Sequence, residues 1–388
     1  MRIRRCAILL IEPRESAVFD FGSLLRGGDG VARRRRLVAL AAHLDAEVEI
    51  DAEACRVLTA LSPGEWTGAA AADVPEACLA FLLESGLVLS DAPAHATMAA
   101  RDQRMRDAHW HPLAATLHAF TRWDGVEAVA HMRESGLDRA EGLRASLGPP
   151  PAADPPGDGE GVVLPWAPPT AFDALLARRT TCRNFDTARA LPFDSFAQVL
   201  QRVFAAQAQV HVAEDTVFMK KNVPSGGGLH PIDCHLVLQR VEGMADGIYR
   251  YDPLRHALHP QPAPDVPVRA FLEQAMAGQH WFADAHCAAV LVPRFDRSFW
   301  KYRQHAKAYR VVLMEAGHLS QMLYLAATEA GLGAFVTGAV NDRQLERALG
   351  LDPARQGILA IGGFGWRAPR METAEFDPAG EVWAPRGE

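Results

Sequence analysis

The segment from Pro149 to Pro169 constrains this chain most, because eleven of its 21 residues are proline or glycine. Proline removes a backbone donor and fixes φ, and glycine loses the most freedom on ordering, so neither helix nor sheet tolerates that density. The segment reads as a linker over residues 149–169. It divides the 388 residues into an N-terminal module, residues 1–148, and a larger C-terminal domain, residues 170–388. Two domains also suit a length beyond that of one ordinary core. Forty basic against 47 acidic side chains leave a net charge of −7. Duplex-binding proteins carry a basic excess, so no nucleic acid is expected as partner. The one basic run, Arg33 to Arg36, reads as a solvated face.

Cys6, Cys55, Cys78, Cys182, Cys234 and Cys287 are scattered without a C-x-x-C pair, which argues against a disulfide framework and a thiolate zinc cluster. No apolar stretch approaches the roughly 20 residues that cross a bilayer, so no membrane is expected. The stretch Met1–Ile11 mimics a signal peptide. Its apolar part is short, and Glu12-Pro13-Arg14-Glu15 ends it without a cleavage site, so it is predicted to be a strand. A cytoplasmic location follows from these readings.

In the N-terminal module, Ala54, Val57, Leu58 and Leu61 recur at helical spacing. Cys78, Leu79, Leu82 and Leu83 mark a second helix that Gly86 ends, and Leu87–Leu89 is a short strand. Helix, helix, strand is the order of a winged-helix fold. Residues 101–146 are predicted mostly helical, with Leu113, Leu117, Phe120 and Trp123 as the packing stripe. His109, His111 and His118 lack a nearby carboxylate partner, so they are assigned to a helix start and its surface, and no metal site is expected.

The C-terminal domain alternates. Helices are predicted over Asp173–Arg179, capped by Thr170, over Asp194–Ala208, and over Ala306–Ala330, where Tyr309, Val312, Leu313, Ala316, Leu319, Leu323 and Ala327 keep a 3.6-residue rhythm. Strands are predicted at Cys234–Gln239, Ala288–Val292, Ala334–Val340 and Gly357–Ile361, with a hairpin through Gly247–Tyr251 and Ala257–His259. The fold class is α+β: a mixed sheet sandwiched by helices, with one long central helix.

Five stretches could carry chemistry. Arg178-Arg179-Thr180-Thr181-Cys182-Arg183 offers guanidinium forks and hydroxyls that match phosphate oxygens, or else an arginine-capped helix end. Pro224-Ser225-Gly226-Gly227-Gly228-Leu229-His230-Pro231 lets backbone amides approach a flat or anionic ligand, and it is neither a Walker loop nor a Rossmann fingerprint. Trp300-Lys301-Tyr302 sets an ammonium beside a phenol, which lowers the phenol's pKa towards a usable base, or is a surface lysine beside a packed tyrosine. Gly331–Gly338 and Gly362–Arg367 suit simple turns equally well.

In this order the five stretches, from about Ala171 to Arg367, resemble the flavin-dependent nitroreductase superfamily, and within it the SagB-type (McbC-like) dehydrogenases of peptide natural-product maturation. Arg179-Thr-Thr-Cys-Arg183-Asn-Phe185 is similar to the family's phosphate motif, with Thr181 in place of serine. Pro224–Pro231 is similar to its glycine-rich element, with His230 in place of tyrosine. Trp300-Lys301-Tyr302 is similar to its Leu-Lys-Tyr motif, and Tyr309–Gln321 is the most specific match. The resemblance implies FMN bound at a homodimer interface. It implies that Arg179, Thr181, Arg183 and Arg367 hold the phosphate. Pro224, Ser225, Gly226 and Gly227 would line the ring, Thr337 and Gly338 would place backbone donors at N5 and O4, and Lys221 would add positive charge.

The function implied is dehydrogenation of a ribosomally made peptide, such as azoline-to-azole oxidation. Tyr302 would take the α-carbon proton, with Lys301 lowering its pKa or exchanging roles with it. Residues 1–148 would bind the precursor's leader, and partner maturation enzymes are implied. Two rivals stand beside it: an NAD(P)H-dependent reductase of nitroaromatics or quinones on the same scaffold, and a non-catalytic scaffold that binds peptide.

Overall fold

A computed structural model describes residues 1–153 and 161–383. The linker expectation falls partly on residues 154–160, which lie outside the described residues. Residues 149–153 and 161–169 contain neither helix nor strand. The chain divides into two compact units. The first comprises Met1–Arg122, Phe295–Tyr309 and Asp352–Gln356, and the second Trp123–Arg294, Arg310–Leu351 and Gly357–Glu388. No helix among the described residues is long and apolar enough to cross a membrane.

The strands of the first unit are β1 (Arg2–Arg5), β2 (Leu9–Phe19), β3 (Val31–Ala41), β4 (Val48–Ile50), β5 (Thr67–Gly68) and β6 (Val88–Ser90). They form two three-stranded sheets, ordered β5-β1-β6 and β2-β3-β4. The single strand expected at the N-terminus is therefore two. Glu12–Glu15, expected to end it, lies inside β2, where an edge position lets Pro13 lack an amide without breaking a central ladder. The arginine run lies on β3. Arg33 and Arg35 pair with Glu15 of β2, and Arg34 and Arg36 pair with Glu49 of β4, following the two-residue alternation of a strand.

Asp51 caps the helix Ala52–Ala60 by accepting from the Ala54 amide at 2.8 Å. That helix buries Ala54, Val57 and Leu58 against Ile3, Leu82, Leu87 and Leu89. Gly86, at φ +77°, ends the helix Glu76–Glu84 in the left-handed turn expected of it.

The packing stripe expected around Leu113 is wrong. Leu113 and Leu117 are exposed, and the helix Pro112–Thr121 buries Ala114, Ala115, His118 and Ala119 instead. The reason is aromatic. His118 lies 5.5 Å from Trp110, 4.7 Å from Phe295 and 5.9 Å from Tyr309, measured between ring centroids. A ring cluster of this kind gains more from burial than two leucines at the rim.

The second unit holds β7 (Ala208–Ala213), β8 (Thr216–Lys220), β9 (Ile232–Leu238), β10 (Gly247–Asp252), β11 (Ala257–Pro260), β12 (Cys287–Pro293), β13 (Gly333–Thr337) and β14 (Ala360–Gly365). The main sheet is ordered β11-β10-β9-β12-β14-β13, and each of these pairings is antiparallel. Among the described residues parallel pairing enters as single bridges, one of which joins Thr181 to Ala334 on β13. On one face Val237, Val290, Phe335 and Ile361 pack with Phe271, Leu272 and Leu345 from two helices. The other face carries Phe364, stacked 6.3 Å from Phe196 of the helix Phe193–Phe204. Helices thus cover both faces.

The Gly362–Gly365 stretch is not a turn but a central strand. A Cβ on Gly362 would lie 2.6 Å from Leu323 Cδ2, one on Gly363 2.3 Å from Phe335 Cε1, and one on Gly365 2.3 Å from His286 Nδ1. Glycine is required here because neighbouring layers leave no room for a side chain.

Candidate functional site

The segment after the helix Ala171–Ala177 runs extended. Thr180, Cys182 and Asn184 are buried, while Arg179, Thr181 and Arg183 alternate with them on the more open side. Cys182 and Phe185 enter the core, and the Cys182 amide donates to the Ala334 carbonyl at 2.8 Å. Burial pushes the Cys182 thiol up to about 12, so it packs as an apolar group rather than as a nucleophile. Gly333 permits this approach: a Cβ there would lie 2.5 Å from Cys182 Sγ.

Of the open-side residues, Arg179 and Thr181 converge on Tyr324 of the long helix Ala308–Glu329, whereas the Arg183 guanidinium donates to the Ala374 carbonyl at 3.5 Å. The Thr181 hydroxyl lies 3.0 Å from the Tyr324 hydroxyl, which also accepts from the Val336 amide at 3.2 Å. The Arg179 guanidinium carbon sits 5.3 Å from the Tyr324 ring centroid, a cation–π arrangement. Arg367 is placed differently. It donates to the Thr180 hydroxyl at 3.1 Å and pairs with the buried carboxylate of Glu375.

The glycine-rich loop faces one stripe of the same helix. Val311, Glu315 and His318 fall at i, i+4 and i+7, the spacing of a single helical face. A Cβ on Gly226 would meet Val311 Cγ1 at 2.1 Å. His230 Nδ1 lies 3.7 Å from Glu315 Oε1, and His318 Nδ1 lies 3.2 Å from the Pro224 carbonyl oxygen. Ser225 Oγ accepts from the His230 amide at 2.9 Å. Gly227 and Gly228 take φ +65° and +68°, which glycine adopts freely, and His230 takes +43°.

Lys221 is 3% exposed and has no hydrogen bond or ion pair among the described residues. Burial holds its pKa below the ordinary lysine value, against the opposing pull of Glu315 and Asp233. Thr337 has its hydroxyl committed to Gln279 Oε1 at 3.0 Å, and Gly338 is exposed with open space around it.

Lys301 and Tyr302 belong to the first unit. Lys301 ends the helix Phe295–Lys301, and the Tyr302 amide donates to the Ser298 carbonyl at 3.1 Å. Lys301 Nζ lies 5.5 Å from the Tyr302 ring centroid. The next turn is tied down by the Gln304 amide, which donates to the His109 carbonyl at 3.0 Å.

Sequence reasoning missed Tyr324, Glu315, Gln279 and Glu375. Glu315 and His318 were within reach of it, because they share a helical face with Val311. Nothing in the local sequence marks Tyr324, Gln279 or Glu375.

Comparison with known proteins bears on this geometry. The model of the Nitroreductase family matches residues 176–366. A Methanocaldococcus jannaschii protein named as a nitroreductase, MJ1384, is 28% identical over 193 residues, covering 50% of this chain and 91% of that protein. The microcin B17-processing protein McbC of Escherichia coli is 29% identical over 153 residues, covering 38% of this chain. That match spans about half of McbC, 54% of its length. Among solved structures, the E. coli microcin synthetase McbBCD complex with truncated pro-MccB17 bound aligns at a TM-score of 0.51 with 20% identity, over 68% of this chain and 92% of that one. This likeness is one of fold.

Proposed function

Because residues 176–366 belong to the nitroreductase family, we propose that the chain is an FMN-dependent dehydrogenase acting on a ribosomally made peptide, with azoline-to-azole oxidation as its reaction. One observation carries this reading: Arg179 and Thr181 converge on Tyr324 of the same helix whose Val311 face receives the glycine-rich loop. The residues present fit FMN. Lys221, buried and without a hydrogen bond among the described residues, feels Glu315 and Asp233 only at a distance, so an anionic ligand would offset the cost of its buried charge. Gly226 lets the loop backbone lie directly against Val311, where a methyl group would already collide.

When bound, the flavin supplies a two-electron acceptor. The chain's own residues do the remaining work. Arg179, Thr181 and Arg183 bind the phosphate through forks and a hydroxyl. Arg367 acts from behind, through Thr180 and Glu375. Pro224, Ser225, Gly226 and Gly227 line the ring, and the hydrogen bonds of Ser225 with His230 and of Pro224 with His318 fix the loop. Thr337 and Gly338 offer backbone amides, and Lys221 offers positive charge. Tyr302 takes the α-carbon proton of the peptide, with Lys301 beside it. Residues 1–148, which carry the helices Ala52–Ala60 and Glu76–Glu84 and the strand β6, bind the leader. The protein works as a homodimer alongside partner maturation enzymes.

A second reading, reduction of nitroaromatics or quinones by NAD(P)H, draws on the likeness to the M. jannaschii protein, 91% of which is covered by half of this chain. The visible spectrum of the purified full chain, followed by mass analysis of a candidate precursor peptide, separates the two. The first reading expects a flavin spectrum and loss of a pair of hydrogens per ring. A yellow protein that leaves every precursor unchanged yet rapidly oxidises NADPH with quinones would establish the second.

A further inference from the structure

We infer that Glu375, in the tail beyond the family-matched residues, is a positioning residue that holds the phosphate-binding segment in shape. The inference rests on the FMN reading above. The Glu375 side chain is fully buried. An isolated buried carboxylate is strongly disfavoured, so one that persists must be satisfied by donors. Here the donors come from three separate parts of the chain.

Glu375 Oε1 accepts from the Arg183 amide at 2.6 Å, the Asn184 amide at 3.0 Å and Asn184 Nδ2 at 2.8 Å. Oε2 pairs with the Arg367 guanidinium and accepts from Trp383 Nε1 at 2.8 Å. Asn184 fastens the same tail a second time. Its Oδ1 accepts from the Glu372 and Thr373 amides, both at 2.8 Å, and its Nδ2 donates to the Thr373 carbonyl at 2.7 Å.

The backbone from Cys182 to Asn184 is therefore pinned at both ends. The Cys182 amide is held by β13 through Ala334, and the next two amides are held by Glu375. Alternation along an extended chain then turns the Arg179, Thr181 and Arg183 side chains to the more open side, where the Arg183 guanidinium also donates to the Ala374 carbonyl of the same tail at 3.5 Å. Arg367 does not add to the charge they offer. It is neutralised by Glu375 and spent on Thr180, so it braces the segment rather than meeting the anion.

The role predicts a loss specific to the phosphate end of the ligand. FMN and riboflavin share the ring system and differ in the phosphate, so their affinity ratio isolates that end. Dissociation constants for both are measured by flavin fluorescence on the full-length protein and on Glu375→Gln. An amide cannot accept from all five donors. The expected result is at least a tenfold fall in the preference for FMN over riboflavin, with riboflavin affinity within twofold of the unsubstituted protein. A role confined to general stability would move both ligands together, and an unchanged ratio would overturn the inference. Should Glu375→Gln fail to fold, Trp383→Phe removes one donor and leaves the carboxylate. It is expected to lower the preference two- to fivefold, and a folded Trp383→Phe with an unaltered ratio would also overturn it. An unsubstituted protein that binds neither flavin would remove the cofactor reading itself, an outcome distinct from a lost or kept ratio.

Discussion

Single residues decide the chemistry proposed here. The Tyr302 hydroxyl has no hydrogen-bond partner among the described residues, so no neighbour competes with a substrate for it. Tyr302→Phe removes the oxygen and little else. It should retain bound FMN and lower the peptide dehydrogenation rate by roughly 10²- to 10⁴-fold, the usual worth of a general base. Single-turnover measurement on the flavin-loaded variant checks this, and a full rate would remove Tyr302 from the role. Gly226 is a steric counterpart. In Gly226→Ala the new methyl lies 2.1 Å from Val311 Cγ1, so the loop must shift, at a cost of about 1–3 kcal/mol. FMN affinity should fall, and adding Val311→Ala should restore most of it, as a fluorescence titration would report. The forks and glycines of both sites were legible because their residue types are themselves the chemistry. Tyr324 and Glu375 were not, since each acts on a segment more than a hundred residues away.

Among elements, the long helix was legible because its apolar rhythm persists for some six turns, well beyond any chance pattern. The hairpin of β7 and β8 was not, since Ala208–Ala213 is exposed throughout and shows no buried face to announce it. The strand expected at Gly357–Ile361 runs on further as β14, through Gly365, because its glycines obey packing rather than propensity. The helix Pro112–Thr121 shows the same override, and it leads to a pH dependence. Burial among Trp110, Phe295 and Tyr309 lowers the His118 pKa from 6.5 to about 3. The folded state therefore disfavours the protonated ring. The contribution is fully present above pH 6.5 and is lost as pH falls from there towards 3, by at most about 1.4 kcal/mol per pH unit. Melting temperatures between pH 7 and pH 5 should fall more steeply for the unsubstituted protein than for His118→Phe. Parallel curves would show that His118 does not titrate on unfolding.

For the whole molecule, the threading of the chain was not legible in the sequence: the boundary between the compact units falls at Arg122 and Trp123, where no run of proline or glycine marks it. The first unit draws on three separate stretches of sequence. Trp110 packs against Phe295 and Phe299 at centroid distances of 4.6 and 4.7 Å and donates from Nε1 to the Ala354 carbonyl at 2.8 Å. Each of these partners is encoded more than 180 residues further along the chain than Trp110. A fragment ending at residue 148 should therefore expose Trp110, with red-shifted emission and stronger acrylamide quenching than the full chain. Matching quenching would show that the fragment finds another cover for it. Such threading also sets a timetable on the ribosome. Residue 356 must emerge before the first unit can close, some 234 residues after Arg122. At elongation speeds of about 5–20 residues per second this is a wait of roughly ten to fifty seconds. Throughout it the nascent aromatic cluster stays wet and sticky, and a holdase that shelters Trp110 and His118 during translation would raise the yield of folded protein.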